Sequence, residues 1–226
     1  MMRALIALVV TACVVAVGPP LDADAATVIT GTVRSKAGRP LPGLALLEKG
    51  EIHNNVWDRG ALVDADGRFR VEVATGGQYG LHVYSRGYIY SPQALKVETG
   101  KTLEVSVVLV PEPTRANDPV IKTAAFVPDG KVAYVKLEVG DPNNDLGPQI
   151  LAFDAGSGRA YAMDPPRWVW SLKSNYPQGT YQLKADTSKA PVNPKDWHFV
   201  VADHQCNTTD ILSFPHAPKP PQVIRQ

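Results

Sequence analysis

Apolar and polar residues alternate along much of this chain. Between residues 27 and 110 the pattern is clearest at Phe69, Val71 and Val73, where the intervening positions are charged. A period of two is typical of strands that bury one face and expose the other. Turn-forming Gly, Pro and Asp residues separate these stretches, and none of them keeps a helical period. The pattern therefore predicts a β-sandwich over residues 26–110.

A second set of alternating stretches follows a change in composition. Residues 111–119 are polar and rich in Pro, which is typical of a semi-rigid linker. Alternation returns over residues 120–212, which we predict to form a second, Ig-like sandwich. The Pro-rich residues 213–226 are predicted to trail in extended form. The predicted fold class is all-β, with two tandem Ig-like or transthyretin-like β-sandwiches after a signal peptide.

Residues 1–25 have the features of a secretory signal peptide. They include an early positive charge, an apolar run without charges over residues 4–17, and the small-residue pattern Ala23-Asp24-Ala25. The apolar run is too short to span a bilayer as a helix. We predict cleavage before Ala26 and a secreted or periplasmic protein. The alternative is a lipoprotein anchored through Cys13, which ends a lipobox-like tetrapeptide.

The charge and the cysteine content of the chain limit the kinds of molecule that it is expected to bind. The chain carries 23 basic and 22 acidic residues, and cleavage would remove Arg3, Asp22 and Asp24 to leave 22 and 20. Because the charges nearly balance, the chain lacks the excess of basic residues that binds nucleic acid or an anionic membrane. We also expect no stable membrane insertion. Cleavage also removes Cys13, so Cys206 would be the single cysteine left and could not form a disulfide within the chain. Cys206 is therefore expected to be buried, free or bonded to another chain.

The first predicted sandwich contains five short segments whose order and spacing together form a pattern. They are Gly31-Thr-Val33, Gly38-Arg-Pro-Leu-Pro-Gly43, Asp64-Ala-Asp-Gly-Arg-Phe69, Gly77-Gln-Tyr-Gly-Leu81 and Gly87-Tyr88. In these segments residues 27–110 resemble the carboxypeptidase regulatory-like domain, a transthyretin-like sandwich of exported bacterial proteins. The resemblance implies a non-catalytic spacer, folding partner or binding module. Its fold overlaps with that of starch-binding domains, which raises carbohydrate binding by analogy.

A shorter part of the second half is similar to bacterial Ig-like domains. The stretches Val169-Trp-Ser-Leu172 and Pro177-Gln-Gly-Thr-Tyr-Gln-Leu-Lys-Ala185 match the penultimate strand pair of those folds. The likeness places Tyr181 at a tyrosine corner, in which the hydroxyl bonds to the backbone a few residues upstream. Residues 141–160 match no pattern of this kind.

The strongest candidate for a ligand contact lies in a polar stretch of the first predicted sandwich. Residues 51–58 lack alternation, which predicts a loop, and they contain Asn54, Asn55, Trp57 and Asp58. Sugar sites combine an aromatic ring with nearby amides and carboxylates, so these four residues form a candidate ligand-binding site. The alternative is that Trp57 only covers one end of the sandwich. The other tryptophans fall in the apolar phase of their strands, which predicts core positions for Trp168, Trp170 and Trp197.

No motif supplies a complete catalytic or metal site. Ser157 lies in a Gly-Ser-Gly turn rather than in a nucleophile elbow. On one continuous strand His198 and His204 would lie about 20 Å apart, too far to share an ion. Residues 141–145 space their oxygen side chains as a calcium loop does, but the Gly and the terminal carboxylate are missing. A solvated turn is predicted there, with calcium as a structural staple left open, and we predict no catalytic residue, no metal ligand and no cofactor.

These observations favour an exported, non-enzymatic binding or accessory protein that contacts a polysaccharide or a cell-envelope protein. The alternative is a structural or protein-interaction component of an envelope complex, in which exposed sheet edges or Cys206 join a partner. A hydrolase or a metalloenzyme has less support.

Overall fold

A computed structural model describes residues 26–52, 55–166, 174–186, 193–209 and 211–213. Within these ranges every regular element is a β-strand except for one 3-10 turn at Pro194–Asp196, which confirms the predicted all-β class. No helix in this part of the chain is long and apolar enough to cross a membrane. Several predictions fall outside the described residues: the signal peptide with Cys13, the Pro-rich tail beyond residue 213, Asn54, Trp168 and Trp170.

The first half of the chain forms two layers of strands. Its strands are β1 (Thr27–Ser35), β2 (Gly43–Lys49), β3 (Trp57–Val63), β4 (Arg68–Val73), β5 (Gly77–Tyr84), β6 (Tyr88–Ile89), β7 (Ser91–Val97) and β8 (Thr102–Pro111). One layer has the order β4-β1-β8-β6 and the other contains β3-β2-β5-β7. Neighbouring strands are antiparallel except for β1 and β8, which run parallel.

The two layers enclose an apolar core. Phe69, Val71 and Val73 face into it and are at most 5% exposed, as their alternation predicts. Each apolar side chain of this size contributes about 1.5–3 kcal/mol when it leaves water. The Phe69 ring lies so close to Gly31 that a Cβ on this glycine would come within 2.5 Å of it. A larger residue in the middle of β1 would therefore push this ring out of place.

The second half also forms two layers within the described residues. Its strands are β9 (Val120–Asp129), β10 (Val132–Gly140), β11 (Leu146–Asp154), β12 (Arg159–Ala162), β13 (Gly179–Asp186), β14 (Trp197–Asp203) and β15 (Leu212–Ser213). The orders are β13-β10-β9 and β15-β14-β11-β12. The predicted apolar rows of β10 and β14 are confirmed, because these side chains are at most 2% exposed: Ala133, Val135, Leu137, Val139, Trp197, Phe199 and Val201.

A tyrosine hydroxyl ties a strand to the turn before it in each half. The hydroxyl of Tyr181 donates to the carbonyl of Pro177 at 2.7 Å, which confirms the predicted tyrosine corner. The hydroxyl of Tyr79 donates in the same way to the carbonyl of Thr75 at 2.9 Å. Both tyrosines are buried, and each bond fixes the chain four residues upstream.

One layer of the first half and one layer of the second are a single eight-stranded sheet, in the order β15-β14-β11-β12-β3-β2-β5-β7. Strands β12 and β3 meet at Arg159 and Arg59, and the N–H of Gly60 donates to the carbonyl of Gly158 at 3.0 Å. An apolar cluster packs across this seam and is called the junction cluster below. Its buried members are Leu44, Leu46, Tyr84, Tyr90, Leu151, Phe153, Ala160, Val200 and Ala202.

The junction explains two strands that alternation describes poorly. Strand β11 lies in the stretch that matches no pattern, and β2 is a short apolar run. Both are buried on two faces, one towards the core of their own half and one towards the junction cluster, so neither shows a polar phase. The division into two domains with a linker stays a prediction. Within that segment Glu112 already contacts the second half, because its Oε1 accepts the N–H of Thr208 at 3.1 Å.

Candidate functional site

Trp57 opens strand β3 instead of lying in a loop as the sequence predicted. It pairs with Glu48 of β2 just after a register shift at Leu47. Asn55 precedes it with a φ of 61°, a left-handed conformation that Asn tolerates better than most residues. This turn lets Asn55 Oδ1 accept the indole N–H of Trp57 at 2.8 Å. The Trp57 ring packs against the junction cluster. The end of the polar stretch 51–58 therefore belongs to strand β3 and not to a loop.

A buried pair of ionisable side chains lies against Trp57. The Glu48 and His82 side chains are 1% and 0% exposed, and Glu48 Oε2 lies 3.0 Å from His82 Nε2. Glu48 Oε1 accepts the backbone N–H of Asn55. The Trp57 and His82 rings meet edge to face, with centroids 4.8 Å apart and planes at 61°. Gly80 leaves room for the pair, since a Cβ there would lie 3.3 Å from His82 Nε2 and 3.5 Å from Glu48 Oε2.

Polar side chains continue from this pair towards the second half. The ring centroids of His82 and Tyr90 are 6.1 Å apart, and those of Tyr90 and Tyr84 are 5.2 Å apart. The N–H of Tyr90 donates to the carbonyl of Cys206 at 3.3 Å, and the two side chains also bond to each other. Burial raises the pKa of Tyr90 and that of the Cys206 thiol. Together with Glu48, these four residues are called the buried polar cluster.

The structure brings together only some of the predicted site residues. Asn55 and Trp57 are joined by their hydrogen bond, and Asn54 lies outside the described residues. Asp58 lies between Trp57, which pairs with Glu48, and Arg59, which pairs with Leu47, so it is the extra residue of a β-bulge. Its charge raises the pKa of the Tyr79 hydroxyl, after burial as the larger cause. Asn55, Trp57 and Asp58 are each partly exposed, and the neighbouring Val56 is 52% exposed.

Glu48 and His82 are the site residues that sequence reasoning missed. His82 lies between Leu81 and Val83, which face the core, so alternation assigns it to the solvent side. That side is covered by the junction cluster instead. Glu48 carries the stronger signal, because it continues the apolar run of residues 44–47 without a turn residue between. A carboxylate at the end of a two-sided buried strand needs a partner nearby.

The chemistry of this site follows from its burial. A carboxylate and an imidazole that are closed off from water hold each other in one orientation and, through Asn55, fix the start of β3. This arrangement makes Trp57 a rigid aromatic side chain with part of its surface exposed. Among the described residues, no group of three or more His, Cys, Asp or Glu side chains is placed to hold a metal ion.

The turn at residues 141–145 is exposed at residues 142–144, in agreement with the predicted solvated turn, but Asp141 at its start is buried. Asp141 is only 4% exposed, and its Oδ2 accepts the N–H of Asp145 at 2.6 Å. Gln178, which directly precedes the neighbouring strand β13, donates to the Asp141 carbonyl at 2.6 Å, and Gln205 donates to Asp145 Oδ2 at 2.8 Å. These two contacts join the turn to residues that are distant in sequence.

Comparisons with known proteins found one matching family model and several solved structures. Among curated proteins none matches this chain. Three solved structures are similar to parts of this chain. A minor pilin of Streptococcus agalactiae is 20% identical over 40% of this chain and 47% of its own length, with a TM-score of 0.33. A Bacteroides uniformis protein provisionally described as a carbohydrate binding protein is 10% identical over 82% and 96%, with a TM-score of 0.31. The major pilin subunit of Bacillus cereus is 10% identical over 83% and 68%, with a TM-score of 0.34.

These three scores are too low to establish a common fold for the whole chain. This chain spans about half the length of the streptococcal pilin. The match to a protein family is firmer, because the family model of the carboxypeptidase regulatory-like domain aligns with residues 28–110. That range covers β1 to β8 almost completely, including the Gly31 and Phe69 contact. Residues 28–110 are therefore similar to a carboxypeptidase regulatory-like domain.

Proposed function

We propose that this protein is an exported, non-enzymatic structural or accessory protein whose two halves work as one rigid body that holds or spaces partners in the cell envelope. The observation that carries this proposal is the continuous sheet across β12 and β3 with the junction cluster packed along it. Domains in one chain move relative to each other unless their interface is large and hydrophobic. Here main-chain pairing and fully buried apolar side chains both cross the seam.

Polar contacts on both sides of the seam add to its rigidity. The turn at residues 203–207 docks on the first half, where the Cys206 carbonyl accepts the N–H of Tyr90. The adjacent Thr208 donates its N–H to Glu112. These bonds hold the segment after β8 and the segment after β14 together. A spacer that keeps its two ends at a fixed distance requires this kind of seam, and the regulatory-like domain of the first half supports a role of this type.

The adjacent residues Leu46 and Leu47 allow a matched test of the rigid body. Both are 0% exposed, but Leu46 packs in the junction cluster and Leu47 in the core of the first half. Leu→Ala removes about 2–5 kcal/mol in either place. Calorimetry of the wild type should show one cooperative transition. Leu47→Ala should lower its temperature, whereas Leu46→Ala should split it into two transitions.

Two well-separated transitions in the wild type would contradict the proposal, because they would mean that the halves unfold independently. A single transition in both variants would also count against it, since the junction cluster would then not be what couples the halves. Fluorescence of the tryptophans during the same melts would report whether each transition belongs to one half.

Carbohydrate binding is the second candidate function, and the placement of Trp57 favours it. The ring is partly exposed and is held by Asn55 and by the buried Glu48–His82 pair, so little side-chain entropy is lost when a sugar stacks on it. Asn54 and Asp58 belong to the same candidate site as predicted from the sequence. The contact would be a stacking interaction at the start of β3, an inner strand of the sheet.

Retention on insoluble polysaccharides tests this second function. Wild type should be retained, Trp57→Ala should be lost, and Val56→Ala should behave as the wild type because Val56 is an exposed neighbour without a ring. Thermal unfolding of each variant shows whether Trp57→Ala remains folded. Equal retention of wild type and a folded Trp57→Ala variant, or no retention of either, would exclude a sugar site at this position.

A further inference from the structure

The turn between β10 and β11 holds two carboxylates whose charges are not balanced by the described residues around them. Asp141 and Asp145 lie within hydrogen-bonding range of each other. Each has one buried oxygen, Oδ1, that no hydrogen-bond donor of the described residues reaches. The remaining oxygens are used, since Asp141 Oδ2 accepts the Asp145 N–H and Asp145 Oδ2 accepts from Gln205.

The neighbourhood adds negative charge to this pair. Asp203 is 1% exposed, and its charge acts on both Asp141 and Asp145. Its own oxygens are occupied, because Oδ1 accepts the N–H groups of Gln205 and Asn207 and Oδ2 accepts the Asn207 side-chain amide. Burial, with the neighbouring carboxylates adding to it, raises the pKa of Asp141 and of Asp203.

No described cation neutralises the pair directly. The Lys122 ammonium lies beside Gly140, but among the described residues no Lys or Arg forms an ion pair with Asp141 or Asp145. Two ionised carboxylates in contact, with buried oxygens lacking donors, cost several kcal/mol unless a proton or a cation lies between them. Both oxygens are hard donors of the kind that Ca²⁺ prefers.

We propose that Asp141 and Asp145 bind a divalent cation of the Ca²⁺ class through their two Oδ1 atoms. The pair supplies two protein ligands, and water completes the coordination of about six to eight oxygens because Asp145 and the intervening residues are partly exposed. Two protein carboxylates without a third ligating side chain give a weak site, in the range of roughly 10⁻⁴ to 10⁻³ M that is typical of extracellular modules. The site does not use the spacing of a helix-loop-helix calcium loop.

The position of this site gives it a consequence for the whole molecule. Gln205 bonds to Asp145, and the next residue Cys206 bonds to Tyr90 of the first half. The turn at residues 203–207 therefore contacts the proposed cation site on one side and the seam on the other. A bound cation would hold Asp145 in place for Gln205 and would thereby tighten the contact between the two halves.

Thermal unfolding of the purified protein with CaCl₂ added after chelation tests the site. At a Ca²⁺ concentration about tenfold above a Kd of roughly 1 mM, mass action raises the melting temperature by about 3–6 °C. Asp141→Asn and Asp145→Asn should each abolish this rise. Asp64→Asn is the matched control, because Asp64 also caps its own turn by accepting the N–H of Arg68 at 2.7 Å but is exposed. Its response to Ca²⁺ should equal that of the wild type.

Three results would overturn the proposal. They are no rise in the wild type, the same rise with an equal concentration of MgCl₂ in wild type and variants, or an unchanged rise in folded Asp145→Asn. If a variant does not fold, amide NMR of the wild type during a CaCl₂ titration decides the matter. Shifts concentrated at residues 141–145 and 203–207 support the site, and shifts elsewhere or none at all refute it.

Discussion

The Glu48–His82 pair and the Asp141–Asp145 pair both contain buried polar atoms, and they are built in opposite ways. Glu48 and His82 combine an acid with a base, and their contacts extend to Asn55 and Trp57. Asp141 and Asp145 combine two acids, each with a buried oxygen that lacks a donor among the described residues. In the first pair the acid and the base bond to each other. In the second pair two acids are in contact, and they need a proton or a cation between them.

The difference shows what burial alone does and does not indicate. Both pairs contact parts of the chain that are distant in sequence: the junction cluster covers the first pair, and Gln178 and Gln205 bond to the turn that holds the second. Burial is therefore a property of the tertiary fold in both cases. Whether a buried polar group is structural or ligand-binding depends on its partners, because an unsatisfied buried oxygen is costly and a satisfied one is not.

Removal of one member of the acid–base pair should have the largest effect. His82→Leu leaves the Glu48 carboxylate buried at 1% exposure without its imidazole, which should lower the free energy of unfolding by about 3–5 kcal/mol. Urea denaturation measures this loss. A change below about 1 kcal/mol would mean that water reaches Glu48 after all, and the contrast between the two pairs would fail.

Replacement of both members should restore much of that loss. Glu48→Met combined with His82→Leu removes the charge and the base together, and apolar residues of similar size in place of a buried ion pair are often neutral or stabilising. We expect the double variant to be more stable than His82→Leu by about 2 kcal/mol or more in the same urea experiment. If the double variant is the less stable of the two, the pair contributes packing that Leu and Met cannot replace.

The acid–acid pair should respond in the opposite direction. Asp145→Asn removes one charge and offers an amide N–H to Asp141, so in the presence of a chelator this variant should be more stable than the wild type by about 1 kcal/mol. Added Ca²⁺ should close that gap, because only the wild type gains from the cation. Urea denaturation of both proteins, once with chelator and once with CaCl₂, measures the difference in the free energy of unfolding under each condition. A variant that is less stable under both conditions would show that the carboxylates are not strained.

The sequence predicts the cores of this fold better than its polar sites. Phe69 and the rows around Val135 and Phe199 follow from alternation, because each is a strand with one buried face and a local pattern suffices. Tyr181 follows from family resemblance. The strand β11 and the residues Glu48 and His82 could not be derived in this way, since their second face is buried by the other half of the chain.

The candidate ligand site illustrates the same limit. A lack of alternation around Trp57 predicts a loop, but the register shift at Leu47 lets Trp57 enter strand β3. The polar turn after Asp141 is predicted to be solvated, and residues 142–144 are exposed, but Asp141 itself is buried and Gln178 bonds to its carbonyl. Long-range contacts decide both positions, and no local pattern records them.

The smallest of the expected effects concerns Cys206, which lies between the two pairs. Burial raises the pKa of its thiol and the bond to Tyr90 lowers it in part. Alkylation by iodoacetamide at pH 8 should therefore be slower in the folded protein than in urea, because the thiolate is the reactive form.

Tyr90→Phe removes the bond that stabilises the thiolate of Cys206 and should slow the alkylation further. A faster reaction would mean that access to the thiol, rather than its ionisation, limits the rate. Ca²⁺ should slow alkylation in the wild type but not in Asp145→Asn, since a cation at Asp145 holds Gln205 and with it the neighbouring thiol against the seam.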